Sequence, residues 1–296
     1  MTQLLSGAAV RDHIFAGLKA RISKLKRRPG LAVVLAGDDP ASKVYVGAKV
    51  KACHENGLYS EEITPPATVT TAEILAILDG LNQREDIDAI LVQMPLPSQV
   101  DSKRVLEAIA PDKDCDGFHP VNVGRLVANR PAPRACTPAG IIELLRYYKI
   151  PMGGKRAVVL GRSDIVGKPM AMMLLHESAT VTICHSRTAN LAEECRRAEI
   201  LVAAIGRPAF VTAEHINPGA VVIDVGINRI TDAETAMRIG KADAFGKRGE
   251  VLVGDVHPEE AMRVAGAFTP VPGGVGPLTI AMLLSNTVAL AELHQS

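Results

Sequence analysis

Continuous apolar runs alternate with helix-length segments along this chain, and no other feature limits its fold as strongly. The first half has the runs 31–37 (LAVVLAG) and 89–95 (AILVQMP), with helices predicted at about 42–56 and 71–83. Strands with one solvated face alternate apolar and polar residues, whereas these runs are apolar throughout. They therefore predict parallel strands that helices cover on both faces.

The alternation starts again after Pro151, with four strand-like runs at 157–161, 181–185, 199–206 and 220–226. A chain of 296 residues is long enough for two hydrophobic cores. We therefore predict an α/β protein of two lobes around a cleft, with one domain over 1–139 and a second over 140–276. The polar stretch 231–250 breaks the pattern and predicts a surface excursion.

Charge and composition exclude several classes of partner. Lys and Arg number 33 against 32 Asp and Glu, and the net charge of +1 gives no field for nucleic acid or an anionic membrane. The five cysteines form no C-x-x-C pair, which predicts free thiols in a reducing compartment and no zinc site. No signal peptide or membrane span is indicated. We expect a cytoplasmic protein with no nucleic-acid, membrane or metal partner.

The run 157–161 leads directly into the turn GRSDIVG (161–167) and then a helix. Such a unit directs backbone N–H groups and the positive helix end at a phosphate, so Gly161, Arg162 and Ser163 are candidate cofactor contacts. The spacing departs from G-x-G-x-x-G, because Ser163 stands in the region of the second glycine. A tight turn that needs glycine for its backbone alone is the alternative.

The end of the next strand bears on which dinucleotide is bound. NAD-binding folds place a carboxylate there for the ribose 2′-OH, but this strand ends in His185-Ser186-Arg187. Ser186 can donate to a phosphate, and Arg187 or Arg162 can neutralise it, so the sequence favours NADP. Solvated loop residues without a ligand are the alternative.

Ser42, Tyr45 and Lys49 share one face of a predicted helix, at positions i, i+3 and i+7. Lys49 beside Tyr45 is a candidate general acid–base if it can lose its proton near neutral pH, and Ser42 is a candidate substrate contact. Gln93 follows a buried strand, at the carboxyl end where α/β sheets carry their sites. An exposed helix face without a catalytic role is the alternative.

Asp114 and Asp116 precede Gly117 in a predicted turn. The two carboxylates can bind a metal, cap a helix, or pair with an amidine-like heterocycle. A metal is the least favoured, because no cluster of further His, Asp or Glu ligands accompanies them. Capping of the turn is the main alternative for Asp114.

Six segments, taken together and in order, resemble the bifunctional methylenetetrahydrofolate dehydrogenase/cyclohydrolases. They are YVGAK (45–49), ILVQMPLP (90–97), PDKDCDGFHP (111–120), GRSDIVGKP (161–169), IDVGIN (223–228) and TPVPGGVGPLT (269–279). Two departures are Cys115, where the family pattern has an apolar residue, and the segment 231–250, which is longer than usual.

The resemblance implies a role for each candidate residue. Lys49 becomes the catalytic base, assisted by Tyr45 and Gln93, and Asp116 holds the pterin ring. The folate would be lined by PGGVGPLTI (272–280), including Pro272, Gly273 and Gly276. The family's cofactor contacts match Gly161, Arg162, Ser163, Ser186 and Ile227.

The resemblance also implies an architecture and an activity. The expected fold has an N-terminal α/β catalytic domain, a C-terminal Rossmann-type NADP domain, and a last helix (277–296) packed back on the first lobe. The expected homodimer, joined through its nucleotide domains, would oxidise 5,10-methylenetetrahydrofolate and hydrolyse the product to 10-formyltetrahydrofolate for one-carbon metabolism and purine biosynthesis. Another two-lobed Rossmann dehydrogenase, similar to shikimate dehydrogenase, and a non-catalytic folate-binding protein are the alternatives.

Overall fold

The computed structural model describes residues 2–296, without the side chains of Ala41 and Arg248. The described chain divides into two compact units. The first unit contains Asp12–Cys136 and Ile280–Ser296, and the second unit contains residues 2–11 and Thr137–Thr279.

The helices are α1 (Gly7–Ile22), α2 (Pro40–Glu55), α3 (Thr71–Gln83), α4 (Ser102–Glu107), α5 (Pro120–Val127), α6 (Cys136–Tyr147), α7 (Gly167–His176), α8 (Leu191–Arg196), α9 (Ala233–Arg238), α10 (Ala242–Arg248), α11 (Pro258–Val264) and α12 (Gly276–His294). The strands are β1 (Gln3–Leu4), β2 (Gly30–Val34), β3 (Tyr59–Ile63), β4 (Ala89–Val92), β5 (Arg156–Leu160), β6 (Thr180–Cys184), β7 (Ile200–Ala203), β8 (Val221–Asp224), β9 (Asn228–Ile230), β10 (Val251–Val253) and β11 (Ala267–Phe268).

The first unit is built on a parallel sheet in the order β3-β2-β4. Every residue of β2 and β4 is buried, as their continuous apolar sequences predict. A capping box between Thr70 and Glu73 starts α3, and the buried side chains Ile74, Leu78 and Leu81 of this helix pack in the same core cluster as alternate residues of β2 and β4. The sequence does not predict β3, because this strand lies at the sheet edge and its residues (YSEEI) are only partly buried.

The second unit contains a six-stranded parallel sheet in the order β1-β11-β8-β7-β5-β6. β5 has β6 on one side and β7 on the other, which places a topological switch point at the carboxyl ends of β5 and β7. This confirms the predicted Rossmann-type α/β arrangement. Residues 2–11 differ from the predicted domain 1–139, because β1 pairs with β11 and so belongs to the second unit.

The segment 231–250 is more ordered than its polar sequence predicts. β9 and β10 pair in antiparallel register on either side of it, and it contains α9 and α10. It shares a small separate core with these two strands, made of Ile230, Ala236, Ile239, Val251 and Val253.

The last helix, α12, is grouped from Ile280 onwards with the first unit, which confirms that it packs back on the first lobe. Its buried residues Leu283, Leu284 and Val288 join the core of β2 and α2. Among residues 2–296, α12 is the one helix that by length and composition alone could cross a membrane, with a mean hydropathy of 1.3. Half of its apolar window is buried inside the structure, as in a core helix.

Candidate active site

Lys49 and Gln93 meet at the carboxyl end of the first unit's sheet. The N–H of Gln93 donates to Val34 O at 2.9 Å, which continues the β4 ladder and fixes the position of the residue. Lys49, on α2, donates from Nζ to Gln93 Oε1 at 2.9 Å. Gln93 Nε2 donates to Met94 O at 2.6 Å, and this bond holds the amide with its oxygen toward the lysine. A direct hydrogen bond therefore joins the two candidate side chains.

Ser42 and Tyr45 lie on the same helix as Lys49 but make different contacts. Ser42 is buried in the first turn of α2, and its backbone N–H donates to Asp39 Oδ2 at 2.8 Å. Tyr45 is 45% exposed, and its hydroxyl makes no hydrogen bond with any residue of the described chain. The Tyr45 hydroxyl is therefore available to a ligand, and it makes no hydrogen bond with Lys49 in this structure.

Asp116 lies in a turn that begins beside β4, because Asp114 forms a parallel bridge with Ile90. Burial raises the pKa of the Asp116 carboxyl to about 6, although the charge of Lys49 and a hydrogen bond from Cys136 lower it. That bond runs from Cys136 Sγ to Asp116 Oδ1 at 3.6 Å. Since part of Asp116 remains exposed, its carboxylate can accept two parallel hydrogen bonds from a ligand.

Asp114 caps the turn and has no capacity left for a ligand. Its Oδ1 accepts from the N–H groups of Gly117 at 3.0 Å and Phe118 at 3.3 Å. Its Oδ2 accepts from the N–H of His119 and from Asn122 Nδ2, both at 2.9 Å. This is the capping role that the sequence left open. No group of three His, Cys, Asp or Glu that could hold a metal ion occurs in the part of the chain that the structure describes.

Asn286 supports the same turn, although no motif in the sequence predicts this role. This residue of α12 is buried, and its Nδ2 donates to Cys115 O at 2.7 Å and to Arg134 O at 2.9 Å. The last helix therefore holds the backbone at Cys115, next to Asp116, and at Arg134, two residues before the Cys136 that bonds Asp116. The available signal is the one amide of α12, which stands between Ser285 and Thr287 in a mainly apolar helix and, if buried, needs a hydrogen-bond partner.

Gly161 ends β5 at the switch point of the second unit. Its φ of +127° is rare for residues with a side chain, and a Cβ there would lie 2.1 Å from Ala204 O. Gly167 opens α7, and a Cβ on it would lie 2.3 Å from Gly161 O. Glycine is thus required at both positions because the backbone comes close to another segment. At Gly161 the segments are the ends of β5 and β7, and at Gly167 they are the end of β5 and the start of α7.

Ser163 changes which backbone groups are free to bind a phosphate. Its Oγ accepts from the N–H groups of Val166 and Gly167 at 3.2 Å each, and its carbonyl accepts from Lys168 at 3.0 Å. The first turn of α7 is therefore already satisfied. The N–H groups of 162–165 make no hydrogen bond within residues 2–296, so the free donors lie in the turn before the helix. The Ser163 hydroxyl proton also remains able to donate.

Ser186 and Arg187 are exposed directly after β6, next to this turn. Gly161 N donates to Cys184 O at 2.9 Å, which joins the ends of β5 and β6. Arg162 is exposed as well, so two guanidinium groups and a hydroxyl follow neighbouring strand ends. This donor set fits an additional phosphate on the ribose, since no carboxylate occupies the strand end.

Ile227 and Gly276 approach each other within the second unit. Ile227 is 49% exposed, and a Cβ on Gly276 would lie 3.8 Å from its Cδ1. Gly273 has a φ of +103° and accepts at its carbonyl from Gly7 N–H at 2.9 Å. Pro272 and Gly273 are exposed. The loop predicted to line the folate therefore reaches a predicted cofactor residue.

Two family models match the chain. The tetrahydrofolate dehydrogenase/cyclohydrolase catalytic domain matches residues 5–116, and the NAD(P)-binding domain of the same description matches residues 135–295. A curated relative, the bifunctional protein FolD of Solibacter usitatus, is 63% identical over 300 residues, which cover 99% of this chain and 98% of the relative.

Solved structures of similar proteins cover the whole fold. The bifunctional FolD dehydrogenase/cyclohydrolase of Campylobacter jejuni has a TM-score of 0.91 at 41% identity, over 99% of each chain. The Trypanosoma brucei methylenetetrahydrofolate dehydrogenase-cyclohydrolase, complexed with NADP and an inhibitor, has a TM-score of 0.89 at 38% identity. It is matched over 99% of this chain and 98% of that one.

Proposed function

The chain belongs to the tetrahydrofolate dehydrogenase/cyclohydrolase family, and on this premise we propose which of its residues carry the family's chemistry. The protein is a bifunctional enzyme that oxidises 5,10-methylenetetrahydrofolate with NADP and hydrolyses the resulting 5,10-methenyltetrahydrofolate to 10-formyltetrahydrofolate. The matches favour this function over a shikimate dehydrogenase-like enzyme or a non-catalytic folate-binding protein.

We assign folate chemistry to the predicted domain 1–139 with 277–296, except residues 2–11, whose strand β1 belongs to the second unit's sheet, and we assign NADP binding to residues 140–276. Support for the second assignment comes from the free N–H groups of 162–165 and the glycine contacts at the switch point. NADP, when bound, accepts the hydride that leaves the methylene carbon. The chain's own part in that step is to hold donor and acceptor in the reactive geometry.

The proposed cofactor contacts divide by the part of NADP that they suit. Gly161 and Ser163 belong to the turn whose N–H and O–H groups can bind the pyrophosphate. Arg162, Ser186 and Arg187 supply charge and a hydroxyl for the 2′-phosphate, and we therefore expect a preference for NADP over NAD. Ile227 offers an exposed apolar surface for the cofactor.

The hydrogen bond between Lys49 and Gln93 is the observation that carries the cyclohydrolase assignment. In hydrolysis, water adds to the methenyl carbon and loses a proton, and the bond from that carbon to N5 breaks as N5 is protonated. The Lys49 amine is assigned both transfers: it takes up the first proton and returns one to N5 as the ring opens. Gln93 orients the amine, and the exposed Tyr45 hydroxyl assists at the substrate side.

Asp116 is proposed to bind the pterin. The amidine edge of that ring offers paired N–H donors, which a carboxylate accepts in a two-pronged arrangement. The remaining proposed folate contacts are Ser42, Pro272, Gly273 and Gly276. Asp114 is excluded from this role because four donors already occupy its oxygens.

Two separate assays test these assignments. Formation of NADPH from methylenetetrahydrofolate is followed at its own absorbance, and disappearance of methenyltetrahydrofolate is followed without any NADP present. We expect both activities in the wild-type protein. Oxidation without hydrolysis would contradict the role of Lys49 and Gln93, and hydrolysis without oxidation would contradict the cofactor assignment.

The proposed homodimer joins the nucleotide domains of two copies, in the cytoplasm, where its product can supply purine biosynthesis. β6 is an edge strand of the second unit's sheet, and Ile183 on it is 39% exposed. An exposed edge strand is a ready surface for pairing with another chain. Light scattering of the wild type and of Ile183→Lys tests this, with a shift of the variant toward monomer expected.

A further inference from the structure

Two loops of the second unit are tied together by one buried carboxylate, that of Asp255. Its Oδ2 accepts from the N–H groups of Ile205 at 2.6 Å and Gly206 at 2.9 Å. Its Oδ1 accepts from Arg207 N–H at 2.9 Å and from Asn228 Nδ2 at 3.0 Å. The residue is fully buried, and every oxygen has two donors.

Both loops leave the carboxyl edge of the sheet at the proposed cofactor site. The loop 205–207 follows β7, and it begins after Ala204, whose carbonyl oxygen lies against Gly161. Ile227 is the last residue of the loop after β8, and Asn228 follows it as the first residue of β9. A carboxylate that bonds to both loops therefore determines the positions of groups on two sides of the cofactor site.

The surrounding backbone is built to admit this carboxylate. A Cβ on Gly226 would lie 2.3 Å from Asp255 Oδ1. The Asp255 N–H in turn donates to Asp224 Oδ1 at 2.8 Å, and a Cβ on Gly254 would lie 1.7 Å from Asp224 Oδ2. Two glycines and a second buried carboxylate thus serve to hold Asp255 in place.

Three successive backbone N–H groups that converge on one point form a site of the kind that binds phosphate. In this protein the carboxylate of Asp255 fills that site. The pyrophosphate is thereby left to the free donors of 162–165, where the adjoining turn offers an unfilled set.

We propose that Asp255 is a positioning residue for the dinucleotide: its carboxylate sets the loops 205–207 and 226–228 in the form that receives NADP. The inference rests on the proposed NADP site and adds to it a residue that does not touch the cofactor. In Asp255→Asn, one acceptor oxygen is replaced by a donor of the same size, so two of the four donors lose their partner. In the variant, only a fraction of the molecules then has both loops ordered before NADP binds. The apparent affinity for NADP is reduced in proportion to that fraction.

Calorimetric titration of the full-length protein with NADP tests the proposal. Asp255→Asn should raise the Kd for NADP at least about tenfold and raise the KM for NADP, with the KM for folate unchanged. Its hydrolysis of methenyltetrahydrofolate without NADP should stay within about twofold of the wild type. Asp88→Asn is the matched control, because Asp88 is an equally buried carboxylate of the first unit, with partners in Arg27 and Gly30.

The outcomes separate the inference from the proposed function. An unchanged NADP Kd in Asp255→Asn, or an equal rise in Asp88→Asn, overturns the positioning role. A wild-type protein that does not bind NADP overturns the cofactor assignment and the inference together. If Asp255→Asn loses hydrolysis as well, the variant Asn228→Ala is measured, because it removes one donor and leaves the carboxylate in place. A raised Kd for NADP in Asn228→Ala supports the positioning role of Asp255, and an unchanged Kd overturns it.

Discussion

Replacement of Lys49 by Met separates the two activities of the enzyme. Hydride transfer depends on geometry and on the cofactor, whereas opening of the methenyl ring requires protons to move. The Met side chain has a similar length and no proton to give or accept. We expect Lys49→Met to lose cyclohydrolase activity while its affinity for NADP stays at the wild-type value.

The size of the effect follows from the role assigned to the amine. General acid–base help contributes about 10²–10⁴-fold, which corresponds to roughly 3–5 kcal/mol of the activation barrier. The cost to folding should be much smaller. Lys49 is half-buried, and its removal leaves Gln93 Oε1 without its 2.9 Å donor in a site that solvent can reach, which costs about 1 kcal/mol.

A second consequence of the substitution must be separated from the first. Burial raises the pKa of Asp116 to about 6 even though the charge of Lys49 lowers it. Without Lys49 this pKa rises further, and the carboxylate that binds the pterin is partly protonated near neutral pH. Assays near pH 7 and near pH 9 distinguish the two effects: a defect caused by Asp116 alone recovers at the higher pH, and loss of the proton carrier does not.

Two further variants complete the experiment. Lys49→Arg should not restore hydrolysis, because a guanidinium stays protonated and cannot act as a base. Lys51→Met is the matched control, since Lys51 lies on the same helix with its side chain 76% exposed and paired with Glu55. Hydrolysis by Lys49→Met within about threefold of the wild type, or its recovery at high pH, would refute the assignment.

Three other predictions follow from the charges of the site. In Arg162→Ala, the ratio of kcat/KM for NADP to kcat/KM for NAD should fall at least about tenfold, as expected for the loss of a charged hydrogen bond. An unchanged ratio would contradict a contact between Arg162 and the 2′-phosphate. Since burial raises the pKa of Asp116 to about 6, kcat/KM for methylenetetrahydrofolate should fall as the pH drops through that value, and a flat profile from pH 5 to 7 speaks against pterin binding by the ionised carboxylate. Burial likewise raises the pKa of Asp224 from 3.8 to about 7. The folded state therefore keeps a proton that the unfolded state releases, and the free energy of unfolding should decrease between about pH 4 and 7 in urea titrations, but not in Asp224→Asn.

Most strands that the sequence predicts are those whose burial is visible in their own residues. β6, predicted at 181–185, is an exception, because it is a largely exposed edge strand. β2, β4, β5 and β7 are apolar because helices or neighbouring segments cover both faces. β3 has the sequence YSEEI, because an edge strand needs little apolar surface, and β1 and β11 are two residues long. Pairing with distant segments stabilises such strands, so no local sequence pattern predicts them.

The same limit applies to the site. Lys49, Gln93 and Asp116 could be proposed from motifs that carry their chemistry within a few residues. Asn286 supports Cys115 from a distance of 171 positions, and Asp255 reaches Ile205 across 50. The partners of a buried amide or carboxylate are fixed by the tertiary fold, so the sequence can show that such a group needs partners but not which ones it has.

Each unit holds a loop in the same way, with a buried carboxylate that accepts from successive backbone N–H groups. The two examples explain which carboxylates are free to bind ligands. Asp114 accepts from three successive N–H groups and from Asn122 Nδ2, and Asp255 accepts from three successive N–H groups and from Asn228 Nδ2. A carboxylate has about four acceptor positions, so both are saturated and act on the backbone around them. Asp116 stands two residues from the first of these and accepts from the thiol of Cys136. The four donors of Asp114 fix the turn, and the turn then presents Asp116, whose carboxylate still has free acceptor positions. Recognition of a ligand with paired donors requires such a carboxylate.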